Sequence, residues 1–190
     1  MVISNVKVYG LEESIKRAKY PMSVDTNILN SDLTKGIKAL GNSKKGDGHD
    51  QFLTGIIVQF DLTFTIKAWT EAERYTFLDF ISSQSTMHRI AKFDIAKQVV
   101  GYVTQNIINE VNRLKDIYNE NPTSENYLTL LYNVPVGFKL TAGMTTNYRQ
   151  LKTIYSQRKT HRLPEWREVC AWIETLPMFK ELCLGEESDG

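Results

Sequence analysis

Residues 147–162 read NYRQLKTIYSQRKTHR, and their polar side chains are spaced as an anion-binding helix would need them. Asn147, Leu151, Ile154 and Arg158 fall at i, i+4, i+7 and i+11, so at about 3.6 residues per turn they share one helical face. An amide and a guanidinium then flank an apolar strip. That arrangement suits a planar ligand carrying a phosphate, because guanidinium donates paired, charge-assisted hydrogen bonds to phosphate oxygens. Arg149, Lys152, Lys159 and Arg162 add positive charge, and no acid interrupts them. The competing reading of such a run is a solvated basic face or a set of partners for surface carboxylates.

A second candidate lies in residues 83–98, SQSTMHRIAKFDIAKQ, where His88 and Arg89 close a polar, Ser-rich segment and Lys92 and Lys97 follow among apolar residues. This stretch is either a ligand-facing connection or the solvated end of a helix. His49 and His161 stand apart from His88, so the three histidines make no metal-ligand pattern, and no metal is expected. The chain contains no GxSxG elbow, GxxxxGK[ST] phosphate loop, GxGxxG fingerprint or HExxH helix, which argues against the common nucleophile and nucleotide-loop enzymes. Cys170 and Cys183 lack a CxxC or Cys/His context, so they read as reduced thiols rather than as a disulfide, a zinc site or a nucleophile.

The background for these residues is a single domain over 1–190. Its 42% hydrophobic and 24% charged residues describe a globular chain able to bury a core. With 23 Lys plus Arg against 22 Asp plus Glu, the overall field favours neither nucleic acid nor membrane surfaces, so any anion site must be local. No apolar run reaches the roughly 20 residues of a membrane span and the start lacks a secretory pattern, which makes a cytoplasmic protein the expectation.

The elements that position the candidates follow from periodicity. Residues 56–68 alternate, with Ile56, Val58, Phe60, Leu62, Phe64, Ile66 and Ala68 on one side, which predicts an antiparallel strand with one buried face. VKVYG predicts an earlier strand, and helices are expected from LEESIKRAKY, ended by Pro21, and from 33–40, stopped by Gly41. The run KKGDGHD reads as a turn. Thr70-Glu71-Ala72-Glu73 has the form of a capping box and predicts a helix through about Ile81. In 101–119, Val103, Ile107, Val111, Leu114 and Tyr118 recur at helical spacing, forming a stripe for core or subunit contact. A short helix near 125–131, a strand over 138–145, a helix over 147–159 and a last helix opened by Pro164 complete an α+β chain in which an antiparallel sheet packs against helices.

The order of these pieces resembles the flavin-dependent thymidylate synthase family. VKVYGLEESIKRAKYPMSV is similar to that family's opening strand and helix, LTKGIKALGNSKKGDGHDQFLTG to its helix and Gly-His turn, and LTFTIKA to its first long strand. The family signature has the form RHRxxSxNxxSxR. Its counterpart here is MHRIAKFDIAKQV, which keeps His88 and Arg89 but has Met87, Lys92, Asp94, Lys97 and Val99 in place of Arg, Ser, Asn, Ser and Arg. The family's Glu-His pair before the long strand is absent, and the segment from Ala68 to His88 is longer than usual. MTTNYRQLKTIYSQRKTHRLPEW resembles the family helix VNARxLxxFxxLRxxxxAQWE through Asn147, Arg149, Leu151, Arg158 and Trp166, with Thr153 where an Asn that contacts flavin is often found.

The resemblance implies that His88, Arg89 and Asn147 hold FAD, and that Arg158, Arg149, Lys92 and Lys97 hold a deoxyuridylate-type nucleotide. It also implies a homo-oligomer, a tetramer in that family, whose sites draw on several subunits. If the whole chemistry is kept, NADPH reduces the flavin and methylenetetrahydrofolate supplies the one-carbon unit placed on C5 of the pyrimidine, with no protein cysteine as nucleophile. No catalytic residue is singled out. The leading expectation is therefore a divergent relative, with phage origin left open. The alternatives are an inactive nucleotide-sequestering module and an interaction protein on the same scaffold.

Overall fold

The computed structural model describes residues 1–44 and 46–185, so within the KKGDGHD turn Lys45 lies outside the described residues. Strand β1 (Val2–Tyr9) turns at Gly10 into helix α1 (Leu11–Ala18). Gly10 is left-handed, with φ 71°, and a Cβ there would sit 2.6 Å from the Gly55 carbonyl oxygen, so the turn admits only glycine without strain. Short 3-10 turns at Tyr20–Met22 and Thr26–Ile28 lead to α2 (Lys35–Gly41), capped by the Thr34 hydroxyl. A further 3-10 segment, His49–Gly55, then leads to β2 (Ile57–Thr65).

The sheet has the order β1-β2-β4-β3 and is antiparallel throughout, with β4 spanning Lys139–Asn147 and β3 Asp79–Ser83. The alternation in β2 decides which face is buried. Val58, Phe60, Leu62 and Phe64 pair with Thr146, Met144, Ala142 and Leu140 and form a floor, on which α8 (Tyr148–Arg158) and α9 (Pro164–Ile173) complete the main core. Phe64 lies edge-on to Trp69 and to Trp166, each with ring centroids 5.1 Å apart. The opposite face is polar: Thr63 and Thr141 share a 2.8 Å hydroxyl contact, and Asn5 donates to Asp61. The α+β class expected from the periodicity is the class observed.

Two elements depart from expectation. Thr65 caps a helix five residues earlier than the Thr70 capping box predicts, its hydroxyl accepting from the Ala68 amide at 3.1 Å, so α3 runs Ile66–Ala72. Thr70 sits inside that helix and turns its hydroxyl back to the Lys67 carbonyl. Residues 79–83, of which 79–81 are expected as the end of that helix, form the edge strand β3, and all five are exposed. Beyond β3 come α4 (Thr86–Arg89), a 3-10 turn (Ile90–Lys92), α5 (Ile95–Gln98), α6 (Gln105–Glu120) and α7 (Ser124–Tyr132). These pack around a second apolar cluster that includes Ile95, Val111, Leu130 and Phe138. The stripe of α6 is rotated from the predicted one: Ile108, Val111 and Leu114 are buried, whereas Ile107 is 43% exposed.

Candidate functional site

The β4–α8 junction organises the cleft. Asn147 is the residue before α8, and its Oδ1 accepts from the Gln150 amide at 2.9 Å, which satisfies a free donor at the helix start and leaves its Nδ2 available. Leu151 and Ile154 are each 1% exposed and belong to the core. The face shared by Asn147, Leu151, Ile154 and Arg158 therefore looks into the protein, and it is the neighbouring stripe that borders open space. Gln150 and Thr153 line two adjoining cavities, one of 580 Å³ and one of 270 Å³. Both are of a size that suits parts of a small organic ligand.

The larger cavity is bordered by Lys44, Phe77, Asn147 and Arg149, with a carboxylate in its wall. Asp50 is 3% exposed and accepts from Arg149 Nε at 2.9 Å and Lys152 Nζ at 3.2 Å. Arg149 also donates through Nη1 to Gln51 Oε1 at 2.8 Å, and Lys152 to the carbonyls of Gly41 and Ser43 at 2.7 and 2.8 Å. Lys152 thus has three acceptors, two carbonyls and a carboxylate, for its three protons, which makes it a brace between α8 and the loop after α2. Arg149 keeps Nη2, and the buried Ser43 hydroxyl at this cavity has no hydrogen-bond partner among the described residues. Such a hydroxyl is a polar group that a ligand can satisfy.

Arg158 and Tyr75 wall the smaller cavity, together with Arg74, Thr76 and Gln157. Arg158 is 8% exposed; its Nε donates to Tyr75 Oη at 2.7 Å and its Nη1 to Glu71 Oε2 at 2.9 Å. The guanidinium lies 4.8 Å above the Trp166 ring and 5.5 Å from that of Tyr75, a cation–π arrangement. His161 Nε2 approaches the same Glu71 oxygen at 3.2 Å, while Lys67 approaches the other at 3.3 Å. Burial raises the Glu71 pKa, but the Lys67 hydrogen bond and the charges of His161, Lys67 and Arg158 outweigh it and hold the carboxyl below its ordinary value. With the folded pKa below the unfolded value near 4.5, this stabilisation is present above about pH 4.5 and is lost as pH falls through the folded value. Glu71→Gln should therefore flatten the acid side of the stability–pH curve measured by urea unfolding. An acid limb unchanged by the substitution would refute the linkage.

The signature-like stretch lies elsewhere in the fold. His88 is exposed on α4, with Nδ1 2.9 Å from the Ser85 hydroxyl. Arg89 and Lys92 are exposed and have no side-chain partner among the described residues. Lys97 pairs at 3.3 Å with Asp94, which caps α5; both are exposed, so the pair contributes little. Backbone pairing fixes where this group sits: the Gln84 backbone amide donates to the Thr141 carbonyl, at the end of β4 away from Asn147. Six residues of strand at ~3.4 Å each put about 20 Å between those two ends. Within one chain, His88, Arg89, Lys92 and Lys97 form one group, and Asn147, Arg149 and Arg158 form another.

Among the residues that do border the cavities, Asp50, Arg74, Phe77 and Gln150 carried no motif in the sequence. Asp50 stands in the Gly-His turn and Arg74 just past the misplaced helix start, and those were the available signals. The cysteines are inert by environment: burial raises the Cys170 thiol to about 11, with Glu174 adding to the effect, and Cys183 is raised further. Among the described residues there is no cluster of His, Cys, Asp or Glu that could hold a metal, and no helix long and apolar enough to cross a membrane.

This architecture, an antiparallel four-stranded sheet backed by helices, is the flavin-dependent thymidylate synthase fold. ThyX from Helicobacter pylori, solved with FAD and dUMP, matches with a TM-score of 0.73 at 14% identity, over 95% of this chain and 96% of that one. A second Helicobacter pylori ThyX structure with FAD and dUMP gives 0.74 at 13% identity, with the same coverage. The UMP/dUMP methylase PolB from Streptomyces cacaoi, bound with 5-Br dUMP, gives 0.61 at 17% identity over 96% of each chain. No protein-family model matches the sequence, and no curated protein matches it significantly.

Proposed function

We propose that this chain is a pyrimidine deoxynucleotide-binding protein on the thymidylate synthase-like scaffold, with FAD as its cofactor. The observation that carries the reading is the 580 Å³ cavity beside α8, where Asn147 Nδ2, Arg149 Nη2, Lys44 and the partnerless Ser43 hydroxyl provide hydrogen-bond capacity next to the exposed ring of Phe77. The solved ThyX structures of the same fold hold FAD and dUMP, which supports the same ligand class here.

That donor set fits a nucleotide-like group. Amides and a hydroxyl suit the edge of a heterocycle, a ring suits its face, and Arg149 with Lys44 suits phosphate. Asn147, Arg149 and Thr153 would hold the flavin side of the ligand pair. A flavin held there would supply hydride chemistry toward a one-carbon unit on the nucleotide, with NADPH as the source of reducing equivalents and methylenetetrahydrofolate as the source of carbon. The chain itself positions the ligands and excludes water. His88, Arg89, Lys92 and Lys97 stand at the far end of β4, so under this reading they serve the cavity of a neighbouring subunit in a homotetramer.

A second reading, nucleotide sequestration without turnover, is favoured by one observation: Arg149, Lys152 and Arg158 all place donors on internal acceptors. One preparation separates the two. The purified protein should show the visible absorption of flavin, and dUMP at 100 times its Kd should stabilise it by about 2.7 kcal/mol, raising Tm by several degrees. A dUMP shift with no affinity for added flavin selects sequestration. Absence of both effects defeats both readings.

A further inference from the structure

Tyr75 separates two residues of opposite character, and that separation gives the turn between α3 and β3 a defined shape. Tyr75 is 7% exposed; its hydroxyl donates to Gln157 Oε1 at 3.0 Å and accepts from Arg158 Nε at 2.7 Å, and its ring lies 5.7 Å from that of Trp166. Two residues on, the Phe77 carbonyl accepts from the Thr146 hydroxyl at 2.7 Å. The turn is thus pinned to α8 at one point and to β4 at another. Between and beside these pins, Arg74 and Phe77 are left outside the core. Arg74 is exposed at the smaller cavity and has no partner among the described residues, while Phe77 is 59% exposed at the larger one.

An unpaired guanidinium beside one cavity and an uncovered aromatic ring beside the next form a two-part recognition surface along α8, with Gln150 and Thr153 common to both. Arg158 is unsuited to the anion-binding part. Two of its three nitrogens are committed, its charge is balanced by Glu71, and stacking on Trp166 fixes its plane. An incoming anion would meet a nearly neutral Arg158–Glu71 pair, whereas Arg74 offers a full positive charge and all of its donors.

We propose that the 74–77 turn is the ligand-recognition element of the cleft: Arg74 meets the phosphate of a nucleotide, Phe77 stacks on its base, and Arg158 anchors the turn through Tyr75 without touching the ligand. The proposal rests on the nucleotide-binding reading above and assigns the residues that carry it.

Titration calorimetry of the full chain with dUMP and, separately, with inorganic phosphate tests each part. Arg74→Gln should weaken both probes by about tenfold or more, as expected for losing a charged hydrogen bond. Phe77→Ala should weaken dUMP by a similar factor, the usual effect of removing a base-stacking ring, and leave inorganic phosphate within about twofold. Both side chains are exposed, so the ligand-free Tm of each variant should stay close to that of the native protein. Native-like dUMP binding by both variants overturns the assignment and leaves the nucleotide-binding reading standing. Failure of the native protein to bind either probe overturns both. Equal weakening of dUMP and phosphate by Phe77→Ala would also count against the proposal, because stacking cannot act on an ion without a base.

Discussion

Arg158→Met should lower the unfolding free energy by about 3 kcal/mol, the lower end of what breaking a buried ion pair costs. Three losses combine. The Glu71 carboxylate, 18% exposed, loses its hydrogen bond from Nη1; the Tyr75 hydroxyl loses the donor at its acceptor side; and Trp166 loses the cation stacked on its face. Methionine retains much of the apolar volume, so packing should change little. The loss stays at the lower end because Lys67 and His161 remain beside Glu71. For a chain of this length the expected fall in Tm is about 6–12 °C. Adding Glu71→Gln removes the carboxylate that has lost its closest charged donor and should restore part of the stability, a coupling readable by a double-mutant cycle. A loss below about 1 kcal/mol would mean that Arg158 is not the structural anchor its contacts describe.

This bears on how a basic helix is read. The spacing of Asn147, Leu151, Ile154 and Arg158 correctly identifies one helical face, yet spacing cannot say which way that face points. Leu151 and Ile154, both 1% exposed, decide the matter by drawing the stripe onto the sheet, and Arg158 follows because Glu71, Tyr75 and Trp166 compensate its burial. Those partners come from α3, from the turn after it and from α9, and no local pattern in α8 announces them. The cavity-facing stripe, Gln150 and Thr153, is chemically plain and so is silent in the sequence.

The sheet shows the same division. Strand β2 was legible because period-two alternation over nine residues has one physical solution, a half-buried strand. Strand β3 was not. Its residues Asp79–Ser83 are exposed on both faces at a sheet edge, so burial imposes no alternation, and the decoy capping box at Thr70 extended a helix across it. Thr65 and Thr70 can both cap, and the choice between them is tertiary: Ala68 and Trp69 are buried against the sheet only if the helix starts at Ile66. With β3 hidden, the capping-box pattern extends a helix over the turn that carries Arg74 and Phe77. The signature-like pattern points instead to His88 and Arg89, whose segment meets the other end of β4, about 20 Å from Asn147. The resemblance found the right fold because it drew on the order of elements, and order survives when individual site residues do not.

Asp50 offers the second large effect, and it should move stability and binding in opposite directions. The carboxylate is 3% exposed and stands between Arg149 and Lys152, whose side chains are 35% and 19% exposed. Asp50→Asn keeps the shape and an acceptor oxygen but removes the charge, leaving two partly buried cations side by side. Cleaving a fully buried pair costs about 3–5 kcal/mol, and partial solvation of both cations reduces this to about 2 kcal/mol. The urea midpoint should fall accordingly, with little change in m-value, because no new surface is exposed. The same substitution raises the net charge at the cavity by one and leaves a single acceptor oxygen between Arg149 Nε and Lys152 Nζ. An anionic ligand at Arg74 then meets a more positive cleft. Inorganic phosphate and dUMP should therefore bind more tightly to Asp50→Asn than to the native protein, with a steeper salt dependence, since a larger share of the attraction becomes a screened charge interaction. Weaker binding together with lower stability would show that Asp50 orders the site rather than competing with its ligand. Tighter binding at lower stability would identify it as a counter-charge that steadies the cleft and lowers its attraction for anions.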